Sequence, residues 1–191
     1  MKWFILLFFI SLEAFSQEKN YDSLQVTIDP EVQGTLLSPK GGNQPPLAIL
    51  IAGSGPTDRD GNQAQFKNNS LKYLAEGLAQ KGIATFRYDK RVIAQINKAT
   101  VQEEKMTFED EVNDALLVIN HFKDKYKKII LIGHSEGALI GLLVAQKVVV
   151  SKFVSISGAG NSSATLIEEQ IGKNAPQLKE ESQKIISQLR K

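Results

Sequence analysis

The four apolar residues at 129–132 run straight into Gly133-His134-Ser135-Glu136-Gly137, and an apolar helical stretch, 138–145, leaves that motif. A strand that becomes a helix within five residues needs a cramped bend. Glycines at 133 and 137 suit it, because a side chain at either position would collide with the strand and helix being joined. The bend fits the pattern G-x-S-x-G, which in a parallel sheet lifts its serine off the carboxyl edge and aims the N-terminus of the next helix at the same point. The five-residue pattern alone is weak, since small residues meet it by chance. Set between an apolar strand and an apolar helix, it favours a nucleophile at Ser135 over an ordinary turn serine. His134 then sits in the elbow, and the Glu136 backbone N–H is one donor to an oxyanion.

Elsewhere strands and helices alternate. After a polar, frayed start at 17–23, residues 24–28 and 32–37 read as short strands around the turn-forming Asp29-Pro30. Residues 40–46 form a loop, and the continuous apolar run 47–52 predicts a strand buried on both faces. Leu71, Leu74, Ala75 and Leu78 recur at helical spacing, with Gly82 as the stop. A strand at 83–88 leads into Asp89-Lys90-Arg91, and 92–106 read as polar and irregular. Thr107 with Asp110 opens a helix whose buried face is Phe108, Val112, Ala115, Leu116, Ile119 and Phe122. The helix at 138–145 is apolar nearly all round and is expected to be buried. A strand at 153–156 precedes a charge-rich, mostly helical stretch at 163–190. This alternation predicts an α/β fold, a mostly parallel sheet with helices on both faces.

Composition sets limits on partners. With 42% hydrophobic and 23% charged residues, a 191-residue chain has material for one medium domain and is not disordered throughout. A net charge of +2, with no Lys/Arg cluster interleaved with aromatics, points away from nucleic acid. The absence of cysteine excludes disulfides and thiolate metal sites, and two histidines without H-E-x-x-H argue against zinc, so no metal is expected. Lys2, the apolar run at 3–10 and Ala14-Phe15-Ser16 together predict a signal peptide over 1–16 and export to the periplasm or beyond. That run is shorter than the ~20 residues of a membrane span, so no stable anchor is expected.

Ala52-Gly53-Ser54-Gly55-Pro56 closes the earlier strand and offers the second oxyanion donor, the Ser54 N–H, because glycines at 53 and 55 let the backbone pass close to a substrate carbonyl. Three other readings compete. A dinucleotide loop needs a helix at once, yet position 58 is aspartate and the helix begins near Asn69. A calcium loop through Asp58, Asp60 and Asn62 lacks the spacing and distal glutamate of an EF-hand. A plain surface turn is the third.

Taken in order, GSGPTDRDGN (53–62), RYDKR (87–91), FEDEVNDA (108–115) and GHSEG (133–137) resemble the α/β-hydrolase superfamily, and more narrowly the bacterial esterases and serine aminopeptidase-like hydrolases. The resemblance covers residue 31 to about residue 172. It implies a small carboxylic ester or related acyl substrate, a Ser-His-Asp triad and no cofactor. Val92 departs from the glycine that often follows RYDKR in that family.

In the superfamily the acid and then the histidine follow the serine in chain order, whereas no histidine follows Ser135 here. The expectation is therefore an N-terminal part of a hydrolase, 17–162, ending before its last strands, with 163–191 beginning a helical lid. His121 and Asp114 share a helix but lie ~10 Å apart along its axis, too far for a base–orienter pair, and on the face expected to be solvated. Asp89, at a strand's carboxyl edge, is placed to line the site, but the resemblance implies a structural role, paired with Arg91 or Lys90; Glu168 and Glu169 are expected to be lid surface. Two alternatives remain open: an aminopeptidase-like enzyme using Asp58 or Asp60 to hold a substrate amine, and a non-catalytic binding module derived from a hydrolase.

Overall fold

The computed structural model describes residues 19–41 and 44–189, so the signal peptide expected at 1–16 lies outside the described residues. Six strands form one sheet in the order β1-β2-β4-β3-β5-β6. β1 (Tyr21–Asp29) and β2 (Val32–Pro39) make an antiparallel hairpin, and β2 joins β4 (Ala84–Tyr88) antiparallel. From β4 through β3 (Leu47–Ile51) and β5 (Ile129–His134) to β6 (Lys152–Ile156) every pairing is parallel. β1 starts earlier than the polar sequence suggests. Tyr21 pairs with Pro39 and is buried, because cross-strand pairing supplies what the local composition lacks.

The central strand shows how the layers arise. Alternate side chains of a strand leave opposite faces. Leu47, Ile49 and Ile51 therefore meet Phe86, Val112, Ile119, Ile140 and Val144 on the face covered by α3 (Phe108–Phe122) and α4 (Glu136–Lys147). Ala48, Leu50 and Ala52 meet Leu71, Ala75 and Ala79 of α1 (Ser70–Gln80) on the other. All five β3 residues are buried, and full burial of each large one contributes about 1.5–3 kcal/mol. The helix boundaries follow local chemistry. Gly82 sits at φ 83° just past the end of α1, and Thr107 and Asp110 close a reciprocal capping box at the start of α3.

Three features depart from the sequence reading. Residues 91–98 form a helix, α2 (Arg91–Lys98), and a 3-10 turn follows at Glu103–Lys105, where irregular chain was expected. In α3, Val118 joins the buried face and so does Asp114, which is 3% exposed rather than solvated. In α4, Leu139 and Leu142 are 37% and 45% exposed, so the helix is buried on one side only. Near them β6 is the edge strand of the described sheet, with Val154 exposed. The polar tail folds as α5 (Ser163–Asn174) and α6 (Lys179–Leu189), broken at a 3-10 turn that begins with Pro176. No described helix is long and apolar enough to cross a membrane.

The strand order locates the site. From β3 the chain crosses to β4 on one side and then returns to β5 on the other. In such sheets, ligands bind outside the carboxyl ends where the order reverses. Here those ends are Ala52-Gly53-Ser54 after β3 and His134-Ser135 at the end of β5.

Candidate active site

Ser135 stands between β5 and α4 at φ 52°, ψ −118°, a backbone that non-glycine residues adopt only when their surroundings impose it. Hydrogen bonds hold it there. Its N–H donates to the Ile156 carbonyl at 2.9 Å, and its carbonyl accepts from the Ala138 N–H at 3.0 Å. The flanking glycines make room. A Cβ on Gly133 would lie 2.6 Å from the Ala138 Cα, so strand and helix nearly touch at that point. A Cβ on Gly137 would run into the carbonyls of Ile51 and Ala52, so the second glycine is required by β3 rather than by its own strand.

The loop after β3 lies against this bend. A Cβ on Gly53 would be 3.1 Å from His134 Nδ1 and 3.4 Å from the Ser135 Cβ. Gly55, at φ 81°, turns the chain in the left-handed region that glycine enters without steric cost. The Ser54 carbonyl accepts from Thr57 Oγ1 at 3.1 Å and from Gln63 Nε2 at 2.9 Å, and the Thr57 N–H returns to the Gly55 carbonyl at 2.8 Å. Among the described residues, no acceptor takes the amide proton of Ser54 or of Glu136. The Ser135 carbonyl, which shares a peptide with the Glu136 N–H, is thus held, as is the peptide that follows Ser54, and Ser54, Ser135 and Glu136 border one cleft.

Two clefts meet at Ser54 and Ser135. One, of about 330 Å³, is lined about equally by polar and apolar surface, with Thr57, Gln63, Asn68 and His134 beside Phe66 and Leu71. The other, of about 440 Å³, runs under α5 and presents Phe108, Leu139, Leu166 and Ile167 with the small residues Gly158, Ala159 and Gly160. The contribution of α5 carries no signal in the local sequence, since its side chains reach Ser135 only through the turn after β6.

The charged residues near the site are arranged differently from the sequence expectation. Asp89 pairs with Arg59, accepting its N–H at 2.7 Å and its guanidinium, and so ties the 53–62 loop to β4 instead of engaging Lys90 or Arg91. Arg91 binds Asp114 through Nε at 2.8 Å and Nη2 at 2.5 Å. Burial pushes the Asp114 carboxyl up against the pull of that arginine, while the more exposed Arg91 is held up by the same bond. Asp58 accepts from the N–H groups of Asp60 and Asn62, at 2.9 and 2.8 Å, and Asp60 binds Arg87 at 2.9 Å, so both acids are engaged within the loop and β4.

Lys90 and Glu136, whose pairing the sequence does not show, meet at 2.9 Å beside the bend, and Glu111 approaches the same ammonium at 3.5 Å. Burial raises the Glu111 pKa, and Lys90 opposes the rise. His121, half-buried on α3, meets Lys125 at 3.2 Å and lies edge-on to Phe122, and burial followed by Lys125 lowers its pKa. His134 is exposed beside Gly53. Among the described residues no hydrogen bond reaches the Ser135 hydroxyl. Glu168 and Glu169 face the groove between α5 and α6, away from it. No described group of three or more His, Cys, Asp or Glu side chains is placed to hold a metal ion.

No protein-family model matches the chain. The sequence is 27% identical over 161 residues to esterase EstD of Thermotoga maritima, a match that covers 84% of this chain and 38% of that protein. The chain therefore spans less than half the length of the curated relative it matches. Among solved structures it superposes on a dienelactone hydrolase from Anabaena variabilis with a TM-score of 0.57 at 21% identity, over 73% of this chain and 64% of the other. It superposes on an α/β serine hydrolase from Xanthomonas campestris with a TM-score of 0.52 at 18% identity, over 76% and 65%. The fold is that of the α/β-hydrolases.

Proposed function

We propose that this α/β-hydrolase-fold chain carries the nucleophile and oxyanion pocket of a serine hydrolase for small carboxylic esters or related acyl substrates. The observation that carries the proposal is the backbone of Ser135, forced to positive φ beside a loop whose Ser54 amide, like that of Glu136, has no acceptor among the described residues. Ser135 Oγ attacks the acyl carbon, the carbonyl oxygen becomes an oxyanion, and the two N–H groups stabilise the charge as it develops. The adduct collapses, its bond to the alcohol breaks and the alcohol leaves with the proton given up by the serine; water then attacks the acyl–enzyme, the acid is released and Ser135 Oγ regains a proton. The meeting at Ser135 of a mixed cleft and a more apolar one suits a substrate with unlike arms on the two sides of its ester. The name of the Thermotoga relative supports the choice of ester over other acyl groups.

Attack at neutral pH also requires a general base oriented by an acid. Residues 1–191 contain no histidine after His134, so we assign both groups to polypeptide beyond Lys191. EstD extends well past the matched part. Export through a signal peptide at 1–16 belongs to the same proposal.

The test is hydrolysis of short-chain p-nitrophenyl esters by the natural gene product, with aminoacyl arylamides assayed alongside. Ester turnover is expected, and Ser135→Ala is expected to lower kcat by about 10³-fold or more. Faster arylamide cleavage would move the assignment to an aminopeptidase-like enzyme. That no base lies against Ser135 among the described residues favours one further reading, a binding module without catalysis. Failure of a fluorophosphonate to label Ser135 in the gene product would establish it.

A further inference from the structure

Lys90 follows β4 as the residue before α2, and it is 6% exposed. Three acceptors surround its ammonium: the Glu136 carboxylate at 2.9 Å, the Gly53 carbonyl at 3.3 Å and the Glu111 carboxylate at 3.5 Å. Its backbone N–H donates to the Thr57 carbonyl at 3.4 Å. One residue thus grips the 53–57 loop twice, the start of α4 once and α3 once. A lysine that served only to balance buried charge would need a carboxylate and nothing from the loop. The contact with Gly53 asks for a further explanation.

The Gly53 carbonyl and the Ser54 N–H are the two ends of one planar trans peptide, and they point in opposite directions. Holding the oxygen on Lys90 therefore turns the N–H away from Lys90. The next peptide is held as well, by Thr57 and Gln63 on the Ser54 carbonyl. We propose that Lys90 is the positioning residue of the oxyanion pocket: by binding the Gly53 carbonyl and the Glu136 carboxylate together, it sets the direction of the Ser54 N–H and its spacing from the Glu136 N–H. A positive charge at the carbonyl end of the peptide also polarises it, which makes the N–H at the other end a stronger donor. Glu111 and Glu136, from two different helices, hold the ammonium in place. Lys90 touches no reacting atom and acts through the backbone.

The inference rests on the acyl-hydrolase reading. Its test separates the two by following inactivation of the natural gene product by a fluorophosphonate, with kinact and KI resolved. Lys90→Met is expected to lower kinact by about 10- to 100-fold with KI nearly unchanged, a part of the 10²- to 10³-fold that loss of a whole oxyanion donor costs. Lys90→Arg, which keeps charge and donors, is expected to recover most of that loss. A merely structural lysine would change the melting temperature and the yield of folded protein while leaving kinact of the folded fraction in place. If folded Lys90→Met reacts within about twofold of wild type, or Lys90→Arg is no faster than Lys90→Met, the positioning role is overturned while the hydrolase reading stands. If wild type itself is not labelled at Ser135, the hydrolase reading fails first. Should Lys90→Met not fold, Glu136→Leu decides: it keeps the backbone amide but removes the oxygen that accepts from the ammonium, and a kinact within about twofold of wild type would overturn the proposal.

Discussion

A methyl group added at Gly137 would place a carbon 2.8 Å from the Ile51 carbonyl carbon, and closer still to the carbonyl oxygens of Ile51 and Ala52. These are backbone atoms at the end of a fully buried strand paired on both sides, so they cannot swing aside as a side-chain tip would. Carbon contacts are optimal at about 3.5–4.0 Å, so relief demands that β3 and the start of α4 part by roughly 1 Å. Overpacking a tight core costs about 1–3 kcal/mol, and the lack of a yielding neighbour places Gly137→Ala near the top of that range. At about 2–4 °C per kcal/mol for a domain of this size, the melting temperature should fall by about 6–12 °C. Ser135, two residues away, should move with the helix and lose reactivity toward a fluorophosphonate. The same substitution at exposed Gly77 in α1 meets nothing within 4 Å. There alanine gains helix propensity, and a rise of about 1–4 °C is expected from roughly 0.5–1 kcal/mol. Circular-dichroism melts of the two variants beside wild type provide the comparison. A Gly137→Ala protein melting within about 2 °C of wild type would refute the close approach of α4 to β3.

Two further substitutions probe the electrostatics around the site. Asp114→Ala should cost about 1–3 kcal/mol in urea unfolding, because Arg91 loses its closest partner but keeps Glu31 at 3.8 Å and Asp110 at 3.6 Å; an unchanged midpoint would show that the pair contributes nothing. Thr107→Ala should cost about 1 kcal/mol through loss of the helix cap. The Asp110 carboxyl is held below its ordinary range, first by the Thr107 N–H and then by its hydroxyl. A lowered folded pKa gives stability that is present above the ordinary carboxylate value and is lost as the pH falls through the lowered one. Thr107→Ala, which keeps only the N–H, should therefore lose less stability than wild type between about pH 5 and pH 2, and an equal or larger loss would contradict the assignment.

Several elements were legible because their causes are local. β3 is a continuous apolar run, α3 opens on Thr107 and Asp110, and the 133–137 bend announces itself by two glycines around a serine. α2 was not legible: Val92, Ile93 and Ile96 give barely more than one turn of apolar pattern, and none of them is buried. Its first residue is held instead by Asp114, 23 positions later. That same partner explains Asp114. Periodicity sees a carboxylate on the polar face of α3 and assigns it to water, but an arginine from another segment makes its burial tolerable. The exposed side of α4 was misread for the complementary reason, since an all-apolar helix carries no mark of which face its neighbours cover.

The sequence alone determined the class of fold and the position of the bend, because strand and helix periods, caps and glycine-dependent turns are decided within a few residues. Tertiary structure decided the rest: the reversal of strand order that brings Gly53 and Ser54 to Ser135, the return of α5 over the apolar cleft, and the meeting of Lys90 with Gly53 and Glu136 across 37 and 46 positions. Contacts over such separations are chosen by which packed arrangement buries the apolar faces and pairs the charges together, and no window of local sequence carries that information.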